Sequence, residues 1–139
     1  MPKVSGRQKL LNDNLRIAAI NGNIEGVKVA IKDGANVNAV DPNNGTALVD
    51  AASRNYVEIV NVLLDNKADV NVATYPNRMT ALMYASNNGY TEIVRALLDK
   101  NADVERRNWD GNNAINFARE NSHGKILTLL ESHLLRKTN

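Results

Sequence analysis

The segment Thr46-Ala47-Leu48-Val49-Asp50-Ala51-Ala52 returns 34 residues later as Thr80-Ala81-Leu82-Met83-Tyr84-Ala85-Ser86. The match continues downstream, with Glu58-Ile59-Val60 over Glu92-Ile93-Val94 and Leu63-Leu64-Asp65 over Leu97-Leu98-Asp99. It closes with Ala68-Asp69-Val70-Asn71 over Ala102-Asp103-Val104-Glu105. A step of 33 upstream sets Ala18-Ala19 under Ala51-Ala52, and Ala35-Asn36-Val37-Asn38 under Ala68 to Asn71. The same step downstream sets Asn113 to Ala118 under Thr80 to Ala85, and Ile126, Leu127, Leu129 and Leu130 under the second apolar block. A chain with four such copies does not build one central core. Each copy is a supersecondary unit that buries its faces only against its neighbours, so the expected architecture is a stack.

The residues of one unit predict two helices and a turn. Thr46 and Thr80 are placed to cap a helix, because a side-chain oxygen there satisfies a free backbone amide of the first turn. Leu48, Ala51 and Ala52 follow at helical spacing, and small alanines let helices approach closely. Gly22, Asn55 and Gly89 supply the turn between helices, where positive φ is cheap only for Gly or Asn. Ile59, Val60, Leu63 and Leu64 make the second apolar stripe. Both ends read as polar caps: the first unit lacks a finger and opens with Asn12-Asp13-Asn14, and the last ends in Glu131-Ser132-His133 and Arg136-Lys137.

This pattern resembles the ankyrin repeat, a 33-residue unit with a T-P-L-H-x-A signature, a Gly turn, an E-x-V-x-x-L-L helix and a G-A-x-V-N loop. The resemblance spans about residues 10–135. It implies an all-α ankyrin-repeat solenoid of four stacked helix-turn-helix units joined by β-hairpin-like fingers. As one domain over 1–139, the repeats fall at about 8–40, 41–73, 74–107 and 108–139. Several positions depart from the family pattern. Ala47, Ala81 and Ala114 replace the proline, while Val49, Met83 and Asn116 replace the histidine, so the usual threonine–histidine hydrogen bonding is absent. The loop glycine survives only as Gly34, with Lys67 and Asn101 after it; a left-handed Lys67 costs roughly 1 kcal/mol. The third repeat has one extra residue within Thr74-Tyr75-Pro76-Asn77-Arg78-Met79, so its finger is expected to be longer or bulged.

Composition narrows the function classes. At 139 residues without cysteine, the chain can fold without disulfides or metal and has no thiolate chemistry, as fits a reducing compartment. The basic start, Met1 to Leu11, lacks an apolar stretch and predicts no signal peptide; no run is long enough for a membrane span. A net charge of +2 and a small cluster of Arg106, Arg107 and Arg119 argue against nucleic acid. The 22 Asn have two readings, codon bias in an A/T-rich genome or frequent left-handed turns. The two histidines, His123 and His133, are expected on opposite faces of the last helix, with His123 in the slot of Tyr56 and Tyr90. Glycines scattered at turns cradle no phosphate, and nothing converges into a nucleophilic triad. We therefore expect no enzyme, no cofactor and no metal.

The resemblance implies a concave groove made from fingertips and first helices. By position the groove carries Asp50, Ser53 and Arg54; Tyr84, Asn87 and Asn88; then Phe117, Glu120 and Asn121. The fingertips carry Asn43 and Asn44; Tyr75, Asn77, Arg78 and Met79; then Trp109, Asp110 and Asn112. Four of the six aromatics, Tyr75, Tyr84, Trp109 and Phe117, map to fingers or groove, and Trp, Tyr and Arg dominate interface energetics. Trp109 either anchors a partner or packs back on the neighbouring finger; Phe117 either contacts a partner or plugs the groove end. The expected function is a protein–protein interaction module, monomeric, with a partner of unknown identity. A stand-alone inhibitor or effector of an enzyme or host protein is the alternative, because repeats fill the chain; a nucleic-acid binder is a weaker one. The starting Met and polar ends speak against a piece cut from a longer array. The expected location is cytoplasmic or nuclear, with delivery into another cell left open. Leu63, Asp69, Val70 and Asn71 also match the spacing that asparagine hydroxylases favour in ankyrin repeats, against which the reading of Asn71 as a loop-stabilising residue is much the stronger.

Overall fold

The computed structural model describes residues 4–138; Met1 to Lys3, part of the basic start, and Asn139, inside the last repeat, lie outside the described residues. Among the described residues eight helices follow in chain order: α1 (Gly6–Asn21), α2 (Ile24–Lys32), α3 (Ala47–Ala52), α4 (Val57–Asp65), α5 (Ala81–Asn88), α6 (Thr91–Asp99), α7 (Ala114–Glu120) and α8 (Gly124–Thr138). They form four consecutive pairs. In one layer α3 lies between α1 and α5, and α5 reaches α7; in the other, α4 lies between α2 and α6, and α6 reaches α8. The all-α repeat solenoid is therefore the observed architecture.

Helices as short as α3 are unstable alone, so their stability comes from the stack. Ala47, Ala51, Ala81, Ala85, Ala114 and Ala118 are buried along the first layer, where a larger side chain would hold adjacent helices apart. Ile59, Val60, Leu63, Ile93, Val94, Leu97, Ile126 and Leu130 fill the second layer. Capping begins at the first described helix, where Ser5 accepts from the Gln8 amide at 3.1 Å. The oxygens of Thr46, Thr80 and Asn113 accept from the amides of Val49, Met83 and Asn116. The histidine replacements prove partly competent. Asn116 Oδ1 accepts the Asn113 amide at 2.9 Å, and Met83 Sδ accepts the Thr80 amide at 3.5 Å, closing two reciprocal capping boxes. Val49 has no acceptor to offer.

Left-handed residues recur at three places along the repeat. The turn between paired helices uses Gly22, Asn55, Gly89 and Ser122; the loop after the second helix uses Gly34, Lys67 and Asn101; the fingers use Asn44, Arg78 and Gly111. Lys67 sits at φ 68°, as its replacement of the loop glycine requires, and its carbonyl accepts from Asn38 Nδ2 at 3.2 Å.

Two expectations are corrected. His123 is not on the last helix: it precedes α8, with Nε2 3.1 Å from the Asn87 carbonyl, and its ring covers Gly89 as the ring of Tyr56 covers Gly22. The first unit is not a polar cap, because Leu10, Ile17, Ile20 and Val29 are exposed there. The polar Asn12 and Asp13 find partners in the first repeat: Asn12 Oδ1 accepts from Gln8 and from the Asn36 amide, and Asp13 pairs with Lys9 and Arg16 along α1. The Lys9 hydrogen bond, with the two positive charges, holds the Asp13 carboxyl below the usual carboxylate range despite partial desolvation.

Candidate functional site

Each finger is shaped by a local device. Asp41 Oδ1 accepts from the amides of Asn43 and Gly45, both at 2.8 Å, and Asn108 Oδ1 accepts from those of Asp110 and Asn112, both at 3.0 Å. Between them Thr74 and Met79 form an antiparallel bridge, with left-handed Arg78 in the tip. This accommodates the extra residue of the third repeat.

The fingers are also tied to one another. The Tyr75 amide donates to the Asn43 carbonyl at 2.8 Å, and the Trp109 amide to the Asn77 carbonyl at 3.1 Å. Asn77 Nδ2 donates to Asp110 Oδ2 at 2.9 Å, and Asn108 Nδ2 reaches Met79 Sδ at 3.4 Å. The result is a continuous ribbon. On it the rings of Tyr75 and Trp109 lie with centroids 6.0 Å apart, tilted by 54°, a spacing at which aromatic pairs attract. Trp109 thus packs on the neighbouring finger and yet stays 66% exposed, with Tyr75 at 45%. Arg78, on the same finger as Tyr75, is half-buried and makes no hydrogen bond or ion pair among the described residues.

The other expected residues separate by surroundings. Tyr84, on α5, packs partly against the core. Phe117 on α7 is half-buried, and its carbonyl accepts from Asn121 Nδ2. Asn121 Nδ2 also reaches Asn87 Oδ1, and Asn87 Nδ2 donates to Asn88 Oδ1. Met79 and Asn112 are half-buried within the ribbon, and Asp110 is exposed on it. Arg106 and Arg107 donate to backbone carbonyls of Asn71 and Gly111, so two members of the basic cluster brace loops. Ile17 and Ile20 were missed. They stand 33 residues before Asp50 and Ser53 and belong to the same rows, extending them onto α1 with apolar side chains; the repeat step itself was the available signal.

Asp50 differs from the rest. Arg54 Nη1 lies 3.6 Å from its Oδ1 but spends its hydrogen bonds on the Asp50 carbonyl and Ser53 Oγ. Asp50 Oδ2 is buried without a partner. Burial pushes the Asp50 carboxyl above the usual range; Arg54 and Arg16 oppose this, and the negative charge of Asp41 adds to it.

Among the described residues no group of three or more His, Cys, Asp or Glu could hold a metal ion, and no helix is long and apolar enough to cross a membrane. A family model described as ankyrin repeats (3 copies) matches residues 12–74 and 73–138. No curated protein matches the chain.

Proposed function

Because the chain belongs to the ankyrin-repeat family, whose repeats are generally protein–protein interaction modules, we propose that it binds a partner protein through the face formed by its fingertips and first helices. The observation that carries this reading is the Tyr75–Trp109 pair, a large aromatic surface held in the open on a braced ribbon. Ordering such side chains before binding removes much of the entropy that association would otherwise consume. Arg78 and the groove residues Asp50, Arg54, Tyr84, Asn87, Asn88 and Phe117 supply the surrounding contacts, with Met79, Asp110 and Asn112 supporting the ribbon. A net charge of +2 supports a protein partner over nucleic acid. Absence of cysteine fits a reducing compartment such as cytoplasm or nucleus. The protein acts as a monomer and by binding rather than turnover.

The test is capture from a lysate of the source with immobilised wild type and Trp109→Ala, followed by affinity measurement on the purified partner. Trp109→Ala should weaken binding by about 2 kcal/mol, a thirtyfold loss typical of an interface anchor, with an unchanged helical circular-dichroism spectrum. Equal affinity of the two proteins would remove Trp109 from the interface.

A further inference from the structure

Ile17, Asp50, Tyr84 and Phe117 occupy one position of the repeat. The other three are apolar or aromatic, so packing makes no demand for a carboxylate there. Yet Asp50 keeps its side chain only 19% exposed, 3.6 Å from Arg54, and no hydrogen bond among the described residues reaches its carboxylate. A buried acceptor without a hydrogen bond works against stability, and a carboxylate so placed beside a cleft is a candidate binding group.

The cleft is present. An opening of about 250 Å³ between the second and third fingers is lined by Asp41, Asp50, Arg54, Tyr75 and Tyr84. Two carboxylates and one guanidinium line it, and that guanidinium donates to the Asp50 carbonyl and Ser53 Oγ. The next cation, Arg16, pairs with Asp13 at 3.3 Å. Asp41 uses Oδ1 to hold its own turn. Two tyrosines supply ring surface.

We propose that this pocket receives an arginine side chain of the partner protein, the guanidinium meeting the Asp50 and Asp41 carboxylates against the rings of Tyr75 and Tyr84. The inference rests on the protein-binding reading above. A planar guanidinium suits the site because it forks onto carboxylates and stacks flat on aromatic faces, whereas an ammonium meets a carboxylate as a point charge and a ring without planar stacking. A second guanidinium offsets the burial of the whole Asp50 carboxylate, whose charge both oxygens share. Tyr75 contributes to this pocket as well as to the Trp109 pair, so the arginine would sit beside the aromatic anchor.

The experiment is an NMR titration of the intact protein with N-acetyl-arginine methylamide, needing no partner. Its uncharged isostere N-acetyl-citrulline methylamide and N-acetyl-lysine methylamide are run alongside. Saturable shifts at Tyr75, Tyr84 and Asp50 are expected with the arginine probe, with Asp50→Asn weakening the titration by about tenfold, the worth of one charged hydrogen bond. Asp50→Asn is isosteric, and its fold is checked by the unshifted spectrum of α6 to α8. Absence of saturation, or equal response to citrulline or lysine, would overturn the pocket. That outcome leaves the Trp109 test untouched, so the two readings fail separately.

Discussion

A methyl group on Gly89 would stand 2.8 Å from His123 Cε1, on backbone at φ 78°. The turn therefore excludes side chains twice, through its own handedness and through the ring that the next helix pair lays over it. Gly89→Ala should lower stability by about 2 kcal/mol in urea unfolding, combining left-handed strain and displacement of the ring. Trimming His123 to Ala in that background should restore only the second part. Asp50 poses the opposite case, a residue the fold tolerates at a loss. A raised carboxyl pKa means that the native state holds its proton longer than the unfolded chain. Stability therefore falls as pH rises through the window between the two values. Asp50→Asn should abolish that slope and raise Tm at neutral pH; an unchanged Tm across pH would show that Asp50 is not desolvated. Asp13, held low, acts in reverse: its contribution is present at neutral pH and is lost as pH falls through its lowered value.

Between elements, side-chain amides and carboxylates act as rungs. Asn38 Oδ1 accepts the Asp69 amide at 2.7 Å, and Asn71 Oδ1 accepts the Asp103 amide at 2.8 Å, each joining one loop to the next. Within a loop, Asn36, Asp69 and Asp103 accept the amide two residues on. The asparagine excess thus has physical employment: left-handed turns, caps and inter-loop bonds. Asn71→Ala should cost about 1 kcal/mol, the typical net worth of one such bond, read as a lower urea midpoint with unchanged m. An unchanged midpoint would relegate the rung to decoration. The N-caps were legible in the sequence because a cap is a contact across three residues. That Met83 and Asn116 would complete the capping boxes was not, since only the folded turn brings Sδ or Oδ1 to the amide.

Across the molecule, each helix pair rests on its neighbours, and a four-pair stack is short enough to unfold as one unit. Leu63→Ala, at a position with no exposed surface, should destabilise the protein by about 2–5 kcal/mol in one cooperative transition. Ile17→Gln, at a side chain 55% exposed, should stay within about 0.5 kcal/mol. A large loss at Ile17 would mean that the apolar rim of α1 supports the fold rather than extending the groove. Helices, their turns and their stacking order could be read from the chain, because capping, left-handed turns and helical spacing act over a few residues and the period of 33 repeats them. The Tyr75–Trp109 pair and the lack of a hydrogen bond to the Asp50 carboxylate could not. Those depend on how far one repeat shifts and rotates against the next, which places residues about thirty positions apart in contact, and no local pattern encodes that distance.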